Sequence, residues 1–118
     1  EITFSRLLSN DPHEFHARLA EENGLLLGLV HYLFHRHGWH ESNVVYLQDL
    51  FVLPEARGQG IARRLIETVY QEADQAGAAS VYWLTQDFNT TARRLYDKVA
   101  NVTPFIKYQR PPSGEKLS

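Results

Sequence analysis

The stretch from Tyr46 to Val69, YLQDLFVLPEARGQGIARRLIETV, constrains this chain more than any other. An apolar run is stopped by Pro54, which lacks the ladder donor a strand needs. A basic, glycine-rich bend follows, and a helical pattern begins at once. Ile61, Leu65, Ile66, Val69 and Ala73 form one stripe at helical spacing, and Gly77 is placed to cap it. The run before Pro54 is apolar enough for a strand covered on both faces. A further run, Ser80 to Gln86, is rich in β-formers. Strand, helix and strand in that order predict a right-handed crossover between parallel strands.

The flanks extend this frame. Asn23-Gly24 predicts a hairpin turn. It joins a strand that alternates at Phe15, Ala17 and Leu19 to a second strand from Leu25 to about His35. Ahead of it, Phe4, Leu7 and Leu8 are spaced as in a short helix that Asn10-Asp11-Pro12 would stop. After Gln86, Asn89 is placed to cap a second helix striped by Ala92, Leu95, Tyr96 and Val99. NVTPFIKYQR predicts a last strand, and residues 111–118 a polar, flexible tail. The predicted order is helix, hairpin, strand, helix, strand, helix, strand, in one domain spanning residues 1–118.

Composition narrows the chemistry. The 118 residues include no cysteine, so disulfides, thiolate metal sites and cysteine nucleophiles are excluded, and a cytoplasmic setting fits. A net charge of −2 argues against a nucleic-acid partner. The longest apolar run, Leu25 to Phe34, is broken by Gly28 and His31 and falls short of the roughly 18 residues of a membrane span. His31, His35 and His37 share one strand face at a spacing that could hold zinc, but no carboxylate is obviously aimed at them and no metal is expected.

Arg57, Gly58 and Gly60 stand where the strand hands over to the helix. A helix N-terminus offers unpaired N–H groups and the positive end of its dipole, and glycine lets a phosphate approach them. Arg57 adds a planar donor fork. The same residues also suit a plain tight turn with a surface arginine. An ATP-type loop needs Lys-Ser/Thr after its last glycine, and here Gly60 is followed by Ile61-Ala62. A dinucleotide fingerprint needs glycine where Arg63 stands, although Asp87 occupies a plausible place for its acid.

Arg57-Gly58-Gln59-Gly60-Ile61-Ala62 resembles the Arg/Gln-x-x-Gly-x-Gly/Ala signature of the GCN5-related N-acetyltransferases. Asn89-x-x-Ala92-x-x-Leu95-Tyr96 resembles that superfamily's second motif, in the right order and spacing. YWLTQDFN and TPFIKYQR are similar to a subgroup that includes histone and polyamine acetyltransferases. The resemblance covers roughly Val44 to Arg110, more loosely back to Glu1. It implies an α/β (α+β) fold: a mixed, mostly antiparallel sheet with a central parallel strand-helix-strand unit. It also implies a strand and a helix ahead of Glu1, so that this domain is N-terminally incomplete.

The implied activity is transfer of an acetyl group from acetyl-CoA to a primary amine of a small molecule, a polyamine or a lysine side chain. Amides from Arg57, Gly58, Gln59, Gly60, Ile61 and Ala62 would hold the pyrophosphate. The strand edge at Phe51 and Val52 would pair with the pantetheine arm, although one of the two must pack in the core. Asn89 and Arg93 would add cofactor contacts, where a helix cap and a solvated arginine are the plainer roles. Tyr96 would be the general acid, since a phenol of pKa about 10 stays protonated beside a thiol of about 8.5, where a core tyrosine on the stripe of Leu95 and Val99 is the plainer role. Polyamine enzymes carry Glu-Asp where this chain has Gln48-Asp49. Gln48 cannot act as a base, which leaves Asp49 as the candidate, with Glu41 and the nearby histidines beside it. A homodimer through the C-terminal strand is expected. The alternatives are an inactive acyl-CoA-binding module and a nucleotide- or dinucleotide-binding domain.

Overall fold

The computed structural model describes residues 1–7, 16–38 and 42–112. Five strands form one sheet in the order β1-β2-β3-β4-β5. They are β1 (Thr3–Leu7), β2 (His16–Glu22), β3 (Leu25–His35), β4 (Val44–Val52) and β5 (Val81–Tyr82). The first four pair antiparallel, and β4 pairs parallel with β5. Helix α1 (Ile61–Gln75) connects the parallel pair, and α2 (Thr90–Val99) follows β5. A doubly wound dinucleotide fold needs a mostly parallel sheet, so this arrangement removes that alternative.

Local chemistry explains the well-formed elements. Asn23 and Gly24 both adopt positive φ, 53° and 80°, as the tightest hairpin turn requires. The predicted stripe of α1 is the buried one: Ile61, Leu65, Ile66, Val69 and Ala73. At its C-terminus Gly77 takes φ 69°. Ala78 N–H then donates to Ala73 O at 2.9 Å and Gly77 N–H to Asp74 O at 3.1 Å, so the last carbonyls are satisfied. The helix lies against Ala20, Val30, Tyr32, Val45 and Leu47 of the sheet. Gly28 permits this approach, because a Cβ there would stand 3.0 Å from Phe51 O and 3.1 Å from Ile61 Cγ2. Glu72 of α1 accepts hydrogen bonds from Arg6 Nη1 (2.9 Å) and Arg18 Nη2, which ties the helix to β1 and β2.

Three expectations are corrected. The opening segment is a strand, not a helical turn. Ile2 and Phe4 both pack against the core, a period of two, and a segment this short cannot nucleate a helix alone. The run Ser80 to Gln86 pairs only at Val81 and Tyr82, because β4 diverges beyond Tyr46. Residues 101–110 form no strand. Their β-formers remain exposed, Phe105 at 84% and Tyr108 at 90%, since a two-residue β5 offers almost no edge to pair with. Asn10, Asp11, Pro12, Phe15, Glu41 and residues 113–118 lie outside the described residues.

Candidate active site

The centre of the site is a break in the sheet. Strands β4 and β5 pair at Val45–Val81 and Tyr46–Tyr82, then part. At the same level β4 carries a bulge: His31 lies opposite Asp49 and Tyr32 opposite Leu47, so Gln48 is an extra residue. The bulge changes which face each residue takes. Val45 and Leu47 point into the core before it, and Leu50 and Val52 do so after it. Gln48 and Asp49 are both exposed between them. Unbroken alternation would have turned Asp49 toward α1 and Gln48 away from it. Bulges re-aim side chains in this way.

The glycine loop lies beyond the end of β4. A single turn, Pro54–Ala56, leads into it. Gly58 and Gly60 adopt φ 84° and 76°, conformations costly for other residues, and a Cβ at either would meet nothing within 4 Å. Gly60 is the N-cap of α1 and supplies no side-chain bond, and the first turn holds no acid. Arg64 N–H reaches Gly60 O at 3.1 Å, so the amides of Ile61, Ala62 and Arg63 precede the helical ladder. Arg63 and Arg64 sit at the positive end of the dipole, an unfavourable placement that a bound anion would offset. Gln59 is exposed within the loop. Arg57 Nε donates to Val52 O at 3.3 Å and so engages that carbonyl already. Of the two edge residues, Val52 packs against the core and Phe51 is 50% exposed.

Helix α2 supplies the remaining residues. Asn89 caps it, its Oδ1 accepting from Ala92 N–H at 3.3 Å. Arg93 Nη1 donates to Asp87 O at 2.7 Å and fixes the loop before the helix. Tyr96 is half-buried, its ring edge-on to Trp83 at 5.4 Å. Burial pushes its phenol above the ordinary value. Tyr96 and Arg93 line a cavity of about 660 Å³ bounded by β5, α2 and residues 101–107. Asp49 and Phe51 lie outside that cavity, on the open face of β4.

That open face also holds contacts the sequence did not announce. His31 Nδ1 is 3.4 Å from Asp49 Oδ2. His35 Nε2 is 2.8 Å from Tyr82 Oη, and Tyr82 stacks on Tyr46 at 5.0 Å. These pairs depend on cross-strand register, which a one-residue bulge resets. Among the described residues, no group of three or more His, Cys, Asp or Glu could hold a metal ion, so His31, His35 and His37 do not converge. No helix among them is long and apolar enough to cross a membrane.

The chain belongs to the acetyltransferase (GNAT) family, whose sequence profile matches residues 1–100. It is 46% identical over 89 residues to D-amino-acid N-acetyltransferase HPA3 of Saccharomyces cerevisiae, covering 75% of this chain and 55% of that protein. It is 39% identical over 88 residues to an aminoalkylphosphonate N-acetyltransferase of Salmonella typhimurium, with 73% and 55% covered. Among solved structures, an aminoglycoside acetyltransferase from an uncultured soil metagenomic sample superposes with a TM-score of 0.78 at 25% identity. That match covers 86% of this chain and 68% of the other. The chain spans about half the length of the curated relatives it matches.

Proposed function

We propose that the protein transfers an acetyl group from acetyl-CoA to a primary amine by direct attack in a ternary complex. The observation that carries this reading is the uncapped, glycine-built N-terminus of α1, set beyond the point where β4 and β5 part. The amides of the loop from Gly58 to Ala62 suit a pyrophosphate, whereas the Arg57 N–H already donates to Pro54 O at 3.3 Å. The unpaired side of β4 beside Phe51 suits the amide-bearing pantetheine arm, added as a strand. Family membership and relatives named for acetyl transfer to amines support the same chemistry. A small-molecule amine is the favoured acceptor, with a polyamine or a lysine side chain as further candidates. The same reading takes the protein as a cytoplasmic homodimer.

In this reading the amine nitrogen attacks the thioester carbonyl. The tetrahedral intermediate collapses and the C–S bond breaks. Tyr96 then donates its proton to the departing thiolate. Burial keeps the phenol protonated through the neutral range, as the role demands. Asn89 and Arg93, both engaged in holding the start of α2, position Tyr96.

Free-thiol release across an amine panel tests the reading. Tyr96→Phe should lower turnover by about 10²-fold, the lower end for one acid–base group, since a thiolate is a fair leaving group. Its melting temperature and CoA affinity should hold, because the ring keeps its contact with Trp83. Turnover within about threefold of wild type would leave Tyr96 a packing residue. Gln48 favours a second reading, an inactive acyl-CoA module. CoA binding without turnover of any amine would select it.

A further inference from the structure

We infer that Tyr82 takes the proton of the attacking amine while passing its own to His35; this rests on the acetyl-transfer reading. His35 Nδ1–H donates to Arg36 O at 2.9 Å. A carbonyl can only accept, so the neutral ring keeps its proton on Nδ1 and a lone pair on Nε2. Tyr82 Oη lies 2.8 Å from that Nε2, and the phenol must therefore be the donor of this bond. With its proton committed to His35, Tyr82 Oη offers a further partner only a lone pair. Two ring contacts hold the side chain in place: Tyr82 stacks on Tyr46 at 5.0 Å and meets the His35 ring edge-on at 5.7 Å. Burial, and after it Tyr46, raises the Tyr82 phenol above its ordinary value, so the donor proton is present at neutral pH. The residue is still 41% exposed and so within reach of a ligand.

The place of this pair matters as much as its chemistry. Tyr46–Tyr82 is the last pair before β4 and β5 part, so Tyr82 stands at the apex of the gap. Val81 and Trp83 pack toward the core, which turns Tyr82 between them to the open face. Trp83 carries the Tyr96 ring at 5.4 Å. Tyr82, His35 and Tyr96 all line the one cavity. Consecutive residues of β5 thus set a proton acceptor on one face of the gap and the proton donor on the other. As the amine lone pair forms the C–N bond, the carbonyl π pair moves to oxygen and the nitrogen becomes positively charged and acidic. Its proton passes to Tyr82 Oη as the Tyr82 proton passes to His35 Nε2. The phenol ends neutral, and the imidazolium keeps its Nδ1–H bond to Arg36 O. Collapse breaks C–S, and the thiolate takes a proton from Tyr96. Exchange with water returns a proton to the Tyr96 phenolate and removes one from the imidazolium, so one proton crosses from amine to thiol in each cycle.

Among the described residues, Val44 lies opposite His35 on β4 and carries no charge, and Tyr46 faces Tyr82. Arg93 and Asp97 of α2, Lys107 and His37 are the other titratable or charged groups that line the cavity. Thiol release from acetyl-CoA across a panel of alkylamines, polyamines and amino acids, followed against pH, tests the relay. CoA affinity and melting temperature are read on the same preparations. In the wild type kcat/KM should rise with pH through an imidazole limb before the limb of the substrate amine. Tyr82→Phe keeps the stack on Tyr46 and should lower kcat by about 10²-fold, with CoA affinity and melting temperature held. His35→Gln should lower kcat by about 10–10²-fold and abolish the imidazole limb. The double variant should be no slower than Tyr82→Phe to within about threefold, because groups that act as one unit lose their effect together. Either single variant within threefold of wild type, a limb that persists in His35→Gln, or losses that multiply in the double variant overturns the relay. If His35→Gln proves unstable, Tyr82→Phe decides by its turnover alone. A wild type that releases no thiol with any amine takes down acetyl transfer itself, and the relay with it, whereas wild-type turnover matched by Tyr82→Phe takes down the relay alone.

Discussion

The strand-loop-helix unit of β4 and α1 and the strand-helix unit of β5 and α2 are built from the same kind of pattern, yet they fold to different depths. Helix α1 buries five side chains, and α2, with a stripe just as regular, has none fully buried. Its Leu95, Tyr96 and Val99 pack against the core only in part. Tyr70 Oη, donating to Val99 O at 2.9 Å, and the Tyr70–Trp83–Tyr96 aromatic chain tie it to α1. Amphipathicity prepares a face, and the extent of sheet available beneath it decides how much of that face is buried. Strand β4 is nine residues long and lies under α1, whereas β5 is two. The shallower half holds Tyr96 and the cavity, which suits a region that must admit a ligand.

The largest expected effect breaks the comparison at its strongest point. Leu65→Ala removes a fully buried side chain and should cost about 2–5 kcal/mol. Leu95→Ala, at the matching place on α2, should cost about 1 kcal/mol, because the site is already partly wet. Equal losses in urea melts would show that α2 is buried as deeply as α1. Gly60→Asp comes next. Its φ of 76° should cost about 1–2 kcal/mol in an aspartate, while the open space around it forgives the Cβ. CoA binding should fail far beyond that cost, since a carboxylate would meet the pyrophosphate. Unchanged affinity in a folded variant would remove the loop from the site.

A titration sharpens the contrast from the core side. Burial raises the phenols of Tyr32, Tyr70, Tyr82 and Tyr96 above their ordinary value. Above about pH 10 the unfolded chain releases these protons first, so the folded state holds more. The stabilisation is complete below pH 10 and falls as pH climbs toward the folded-state values. Urea midpoints should be flat in this respect to pH 9 and drop beyond 10, and Tyr32→Phe should blunt the drop. The smallest effect lies at the far end. Phe105→Ser should change stability of the monomer by less than about 0.5 kcal/mol, since the ring is 84% exposed. If residues 102–108 mediate the proposed homodimer, the same substitution should abolish concentration-dependent light scattering.

The sequence alone determined whatever is decided within a few residues. Asn23-Gly24 sets its turn because both residues tolerate positive φ. Gly77 ends α1 by the same freedom, and the stripe from Ile61 to Ala73 is read directly from its spacing. The order Arg57 to Ala62, then Asn89 to Tyr96, announced the family. Tertiary structure decided what depends on partners far along the chain. Ile2 and Phe4 fit a helix or a strand by spacing, and pairing with β2 chose the strand. Val102 to Tyr108 have strand-forming residues but no edge to join. Gly28 looks like an interruption until Ile61 and Leu65 are seen against it. Above all, the meeting of His31 with Asp49 hangs on one extra residue, Gln48. Side chains alternate with a period of two along a strand, so a single insertion exchanges the two faces. No local pattern records where that insertion falls.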